Sequence, residues 1–411
     1  MSKRPWIDLA LGIIHFQTQI TSGEKMIKVA FHLLGNTAWH AGTVYLFNLF
    51  KAIRQFAGDT VRLTLLRIDE HDKASKDLSE LVDEILFYPK YRRWTLPWLA
   101  SRGSVRLLGH DLLTDRFFEN HGVQIIAFGS TPQGSSSPVF SWLPDFQHIH
   151  MPEMFSPVEC ADRDRIFLQM AEQSTRIILL SETVRRDFQS FLPRYANKTR
   201  VVTPVSQIPL AIYEREPGSV CDMYSLPEKF IYLPNQFWKH KNHSLAFRAM
   251  KILKDQGLEI FLACSGPMND YRHPDHFSNI LQQVSQLGIR NQVVFMGLLP
   301  REHMYLMIRQ SVCVLSSSLF EGFGLVVDEA CSVGKRLLLS DIDAHREQKP
   351  PRSVFFNPRD EEDLAEKMKL VWQEQVPGPD LEMEAEARQV LPARLKVFSE
   401  TFMSVVREVV P

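Results

Sequence analysis

Cysteine is sparse in this sequence. The five present, Cys160, Cys221, Cys264, Cys313 and Cys331, are odd in number and include no CxxC pair. A disulfide framework is therefore not expected, and the thiols read as reduced and buried in a cytosolic protein. No segment reaches about 18 uninterrupted apolar residues, so no transmembrane helix is expected. Neither sign of charge prevails: 47 Lys and Arg against 48 Asp and Glu leave a net charge of −1, and no global field favours nucleic acid. No GxGxxG follows a candidate strand, which weakens a dinucleotide-binding dehydrogenase. Gly334-Lys335 is not a P-loop, because Glu329 stands where the required earlier glycine would be. The N-terminus mimics a signal peptide only weakly: Asp8 interrupts its short apolar run and no small-residue cleavage site follows. Met26 directly precedes the strand-like IKVAF, so residues 1–25 are read as a dispensable extension or an upstream start.

What is present is globular. Hydrophobic residues make up 45% and charged residues 23% of 411 positions, enough chain for two domains of ordinary size. The most informative stretch is residues 316–341, SSSLFEGFGLVVDEACSVGKRLLLSD. Residues 312–316 are an apolar run expected to be a buried strand. Residues 319–324 form a loop with two glycines, residues 325–333 have helical apolar spacing, and Gly334 sits where a left-handed helix cap belongs. Residues 336–340 are a second strand. Strands joined through a helix run parallel, and parallel sheets place ligands at the carboxyl ends of their strands. Gly322 and Gly324 bare the backbone there, where helix N–H groups carry roughly half a positive charge and suit a phosphate. Glu321 and Glu329 flank the same point. Carboxylates accept hydrogen bonds from hydroxyls, each worth about 1–3 kcal/mol when charge-assisted. A diphosphate between two hydroxyl-bearing groups is a nucleotide-sugar. The competing reading is a structural strand–helix–strand unit with surface acids.

Three other stretches fit this picture. The loop GNTAWHAGT joins a strand over residues 27–34 to a helical run, with Gly42 and Thr43 near its start. That is an anion site by geometry or an ordinary first turn, and His40 is a polar contact or simply solvated. After a strand at 139–143, Asp145, His148 and His150 fall at its carboxyl end. They are candidate cleft residues or a polar loop bonded within itself, and the two histidines without a clear carboxylate partner are weak evidence for zinc. After a strand at 230–233, the loop carries Lys239, His240, Lys241 and His243. Cations there suit a diphosphate leaving group, or form a solvated basic turn. Ser181 is placed to cap a helix. Residues 203–227, with four prolines, are the interdomain linker. Residues 88–106 interleave Lys90, Arg92, Arg93, Arg102 and Arg106 with Tyr88, Tyr91, Trp94 and Trp98. This segment suits an anionic membrane surface, or is a solvated strap whose tryptophans pack onto the domain.

EGFGLVVDE, a Glu-x7-Glu after a strand, resembles the signature of the retaining family 4 glycosyltransferases, glycosyl transferases group 1, of the GT-B fold. The resemblance covers residues 230–375 and, more weakly, 26–200. It implies an α/β protein of two Rossmann-like domains whose parallel sheets face across a cleft. An N-terminal acceptor domain over 26–205 and a nucleotide-sugar domain over 206–395 follow, with a helix at 396–411 crossing back. It further implies that Glu321 contacts the hydroxyls of the transferred sugar and Glu329 holds the ribose, while Gly322, Phe323, Gly324 and Leu325 approach the diphosphate and sugar. Of the family's glycine pair in the first loop, only Gly42 of Ala41-Gly42 carries over. Of its acceptor-side His-Asp pair, Asp145 and the following Pro152-Glu153 keep the spacing, but Pro144 stands at the histidine position, where His148 is the substitute. Of its Arg-Lys pair, Lys241 matches, but Gln236 stands at the arginine position, leaving Lys239 to supply the charge. Asp341-Ile342-Asp343 looks like a metal-binding DxD, but enzymes of this fold typically need no catalytic metal, so neither metal nor cofactor is expected.

The expected function is retaining transfer of a sugar from a GDP- or UDP-linked donor to a hydroxyl of a glycan or lipid-linked acceptor, in surface polysaccharide or lipopolysaccharide synthesis. The expected location is the cytoplasm, peripheral on the inner face of the membrane. Two alternatives stay open: a degenerate nucleotide-sugar-binding protein and a sugar-nucleotide epimerase of the same fold.

Overall fold

The computed structural model describes the chain outside residues 1–25, 35–40, 68–75, 88, 90, 92, 130–134 and 411. The N-terminal extension, His40, Tyr88, Lys90 and Arg92 thus lie outside the described residues. The chain divides into two units. Among the described residues, one holds 26–144 together with 161–205 and 393 onward, and the other holds 145–160 and 206–392.

The first unit is built on strands β1 (Ile27–His32), β2 (Val61–Arg67), β3 (Glu84–Phe87), β4 (Ile125–Ala127), β5 (Val139–Leu143), β6 (Arg176–Leu179) and β7 (Thr199–Val201). They pair in the order β3-β2-β1-β4-β5-β6-β7, every neighbouring pair parallel. Central strands of such a sheet are covered on both faces and must be apolar throughout. Accordingly Val29, Ala30 and Phe31 in β1 have no exposed surface. Helix α1 (Ala41–Ala57) buries Tyr45, Leu46, Leu49, Phe50 and Ile53, the spacing of a single helical face. The Thr43 hydroxyl donates to the Leu34 carbonyl at 3.0 Å, tying the helix start to the end of β1. The core between them is aromatic. Phe31 lies 4.8 Å from Phe50 and 5.7 Å from Phe402, and Tyr45 lies 5.8 Å from Phe398.

The basic, aromatic stretch is mostly a helix, α2 (Leu96–Leu108), followed by α3 (Leu112–Asn120). Pro97 sits in the first turn of α2, where a missing N–H costs no intrahelical bond. Helix α2 buries none of its residues; Trp94 just before it is 71% exposed and Trp98 within it is half-buried.

The second unit is built on β8 (Ile231–Leu233), β9 (Leu262–Cys264), β10 (Val293–Phe295), β11 (Val314–Ser316), β12 (Leu337–Ser340) and β13 (Val354–Phe356). They are again all parallel, in the order β10-β9-β8-β11-β12-β13. This is a doubly wound order, reversing between β8 and β11, and ligands of such sheets bind at the carboxyl ends beside the reversal. Helices α4 (His243–Asp255), α5 (Arg301–Gln310) and α6 (Leu325–Val333) cover the sheet. Leu245, Phe247, Met250 and Leu253 pack on one face, and Leu306, Ile308, Val327 and Val333 on the other.

The last helix, α7 (Leu381–Arg407), contributes to both units. In the β8–β13 unit its Glu384 accepts from the buried Arg309 guanidinium at 2.7 Å. In the β1–β7 unit Phe398 and Phe402 are buried, and Glu408, just past the helix, pairs with Arg176 at 2.8 Å and Arg200 at 2.7 Å. Pro392 lies inside the helix at the change of unit. No helix of the described residues is long and apolar enough to cross a membrane.

Candidate functional site

The reversal in the β8–β13 sheet brings together the loop after β8 and the loop after β11. The two are stitched by backbone and hydroxyl bonds. Leu319 N–H donates to the His240 carbonyl at 2.8 Å, and the Ser317 hydroxyl donates to the Lys241 carbonyl at 2.9 Å. Residues 239–241 form a single 3-10 turn, which presents Lys241 toward the neighbouring loop. Its ammonium donates to Glu321 Oε1 at 2.5 Å, and the Ser318 hydroxyl donates to the same oxygen at 2.6 Å. Both side chains of the pair are largely buried, 14% exposed for Lys241 and 12% for Glu321. Burial pushes the Glu321 carboxyl up, but Lys241, His345 and Ser318 outweigh it and hold it below the usual carboxylate range.

The glycine loop runs straight into α6. Gly324 has φ +87°, a left-handed conformation that disfavours a side chain, and a Cβ there would stand 3.4 Å from the His345 ring. The Phe323 carbonyl accepts from the Gln348 amide at 2.5 Å, and that amide also reaches Gly324 at 3.2 Å. Leu325 opens the helix. Glu329 is buried one turn on and accepts from Arg301 of α5 at 2.8 Å. Burial raises its carboxyl above the usual range, against the pull of Arg301.

Of the residues picked from sequence, Glu321, Lys241, Gly322, Phe323, Gly324, Leu325 and Glu329 thus lie on two adjoining loops and one helix. Lys239 is different: its side chain is exposed, and its backbone N–H donates to Asp270 at 3.1 Å. Asp145, two residues before the short helix Gln147–His150, accepts from the Gln147 N–H at 3.0 Å. His148 is buried, stacked 6.3 Å from Phe146, with Phe155 edge-on at 6.4 Å. It is His150, exposed, that stacks on Phe320, 5.0 Å away and next to Glu321. Gly42 is buried in the first turn of α1 and belongs to the β1–β7 unit. Asp341 of the DxD pairs with Arg346 at 2.6 Å. Among the described residues no group of three His, Cys, Asp or Glu is placed to hold a metal ion.

Four neighbours were not picked from sequence. Arg301 stands against Glu329 and His345 against Glu321, and neither has a local spacing that announces it. Arg272 is sandwiched 4.7 Å from Phe155 and 5.1 Å from Trp238, and joins residues 145–160 to the loops after β8 and β9. Ser318 alone had a signal, lying three residues before Glu321.

Residues 225–390 match the family model described as glycosyl transferases group 1. An uncharacterized glycosyltransferase of Methanocaldococcus jannaschii is 29% identical over 116 residues, which are 28% of this chain and 28% of that protein. The serotype-specific mannosyltransferase WbdA of Escherichia coli is 29% identical over 151 residues, 36% of this chain and 18% of that protein. The matched part of the chain thus spans less than a third of either relative's length. Among solved structures, a glycosyltransferase from Rickettsia africae superposes with a TM-score of 0.66 at 13% identity, over 94% of this chain and 99% of that one. Anabaena HepE, in complex with UDP and glucose, gives 0.66 at 14% identity, over 93% and 100%. At such identities the likeness establishes the fold: α/β, with two parallel sheets, of the GT-B class.

Proposed function

We propose that this chain, whose residues 225–390 match the family model described as glycosyl transferases group 1, transfers a sugar from a nucleotide-sugar to a hydroxyl of a glycan or lipid-linked acceptor, with retention at the anomeric carbon. The observation that carries the reading is the Lys241–Glu321 pair at the sheet reversal, 2.5 Å apart and beside the N-terminus of α6. Departure of the leaving diphosphate builds negative charge, and the Lys241 ammonium and the α6 N-terminus are the positive groups suited to stabilise it. Glu321, kept ionised by its neighbours, orients the sugar hydroxyls, and Glu329 takes the ribose hydroxyls. Attack from the face the diphosphate leaves gives retention. The leaving phosphate takes the acceptor proton, so neither an enzymatic base nor a resident metal is needed. Asp145 and His148 are assigned to the acceptor margin of the site, with Lys239 as a further cation, and Gly42 is a separate phosphate candidate within the β1–β7 unit. The Escherichia coli relative is a mannosyltransferase and the Anabaena neighbour binds UDP and glucose. Donors linked to GDP or UDP are therefore the first to test, and surface polysaccharide or lipopolysaccharide is the product class.

The test is a thermal-shift panel of UDP, GDP, ADP and their sugars, followed by transfer assays. A nucleotide at a hundred times its Kd stabilises the native state by about 2.7 kcal/mol, a clear rise in Tm. Glu321→Gln keeps nucleotide binding and loses turnover on the order of a hundredfold or more. Near-normal turnover in that variant overturns the assignment, and a sugar-nucleotide product formed without acceptor points to an epimerase instead.

A further inference from the structure

Helix α2 is amphipathic in the wrong sense for a soluble protein. Leu96, Leu99, Ala100, Gly103 and Leu107 recur at the spacing of one helical face. That face is turned outward: Leu96 is 82% exposed, Leu107 83% and Leu99 47%. Trp94 just before the helix and Leu108 and Leu112 at its far end extend the apolar surface. The opposite side, with Trp98, Ser101 and Val105, is only half-buried. The helix is held by polar tethers. The Ser101 hydroxyl donates to Asp111 at 2.5 Å, and the Leu112 N–H donates to the Ser104 hydroxyl at 3.2 Å. Asp111 in turn caps α3. This arrangement orients an apolar face without burying it.

The charge around that face has one sign. Between residues 88 and 109 the sequence carries Lys90, Arg92, Arg93, Arg102 and Arg106 and no acidic residue, in a chain of net charge −1. Arg102 and Arg106, one turn apart, run along the flank of the leucine face. Arg93 lies 5.3 Å over Trp94 and Arg102 5.8 Å over Trp98, so the cations and the indoles share one edge. A partner for this surface must be apolar within and anionic at its rim. At 1.5 Å per residue α2 is about 20 Å long, too short to span a bilayer, but suited to lie in the plane of the headgroups.

We propose that α2 docks this protein on an anionic lipid bilayer, with Leu96, Leu99 and Leu107 entering the acyl boundary and Arg93, Arg102 and Arg106 meeting the lipid phosphates. The inference stands apart from the transfer reaction and survives its failure. It is tested by flotation of the full-length chain with vesicles of phosphatidylcholine containing a quarter phosphatidylglycerol, and with phosphatidylcholine alone. The chain is expected to partition to the anionic vesicles and to be released by salt. Arg102→Ala/Arg106→Ala weakens that partition roughly thirtyfold, each basic residue near such a surface being worth about a factor of five. Leu96→Glu/Leu107→Glu abolishes it. Neither variant alters a buried residue, so each keeps the parent Tm, and that measurement accompanies the flotation. The proposal is overturned if the parent chain shows no preference for anionic vesicles, or if the Leu96→Glu/Leu107→Glu variant binds them equally. It is also overturned if the variants instead dissociate a dimer of a parent chain that ignores lipid, which would make the face a protein interface.

Discussion

Glu329 and Arg301 show how a single side chain sets the chemistry of its neighbour. The carboxyl is buried, which favours its neutral form, and the guanidinium 2.8 Å away offsets part of that cost. Arg301→Met removes the offset. The variant is expected to be about 1–3 kcal/mol less stable at neutral pH. Because a raised carboxyl is content to hold its proton, the deficit should shrink as pH falls through Glu329's elevated range. Urea unfolding of parent and variant at pH 7.5 and pH 5 checks this, and a deficit that does not change with pH rejects it. The glutamates themselves were legible in the sequence, because a loop glycine pair and two acids around one helix start form a local pattern. Arg301 and His345 were not. Their nearness to Glu329 and Glu321 depends on the order in which strands pair, and short-range spacing carries no record of that. His150 illustrates the same limit. Its loop was read as belonging near a cleft, but only the folded chain distinguishes it, stacked on Phe320, from the buried His148.

At the scale of elements, the parallel sheets and most helices follow from apolar runs and turn residues, with strand ends shortened by one or two positions. The strands β3, β7 and β13 went unread because EILF, TRV and VFF are brief. The helix α2 went unread as a helix because Pro97 and the tryptophans look like loop, although Pro97 occupies the turn where proline is tolerated. The stop at Gly334 was legible as a left-handed cap, φ +89°. What sequence did not disclose is the contact beneath it, where a Cβ would meet the Met383 carbonyl of α7 at 2.5 Å. Gly334→Ala therefore combines backbone strain with overpacking against a rigid atom, a cost of about 3 kcal/mol. Chemical denaturation should show the lowered midpoint. A variant as stable as the parent would mean that α7 yields at that point.

At the scale of the molecule, both units bury histidine: burial lowers His32 of β1 to about 4, and the β8–β13 unit holds more such residues. The β8–β13 unit buries His240, His243 and His345, with at most 5% of any of them exposed. Burial lowers all three, His243 to about 3, and Lys241 and Arg272 press His240 down further. In an unfolded chain they titrate near 6.5. The stability they represent is thus present above about pH 6.5 and is lost as pH falls toward the folded-state values, each proton counting about 1.4 kcal/mol per pH unit. Calorimetry from pH 7.5 to 5.5 should show a falling Tm that His243→Gln flattens, and an unchanged profile excludes the mechanism. The sharing of α7 has a different consequence, one of timing. Phe398 and Phe402 complete the core around Phe31 and Tyr45, yet in the chain they follow the whole of the β8–β13 sheet. Domains ordinarily fold in the order they are made. Here the unit that is begun first cannot close until the other has been made, so its strands wait, unfinished, while the later-made sheet already has nearly all of its own residues. Such a nascent chain would lean on chaperones at its beginning rather than its end.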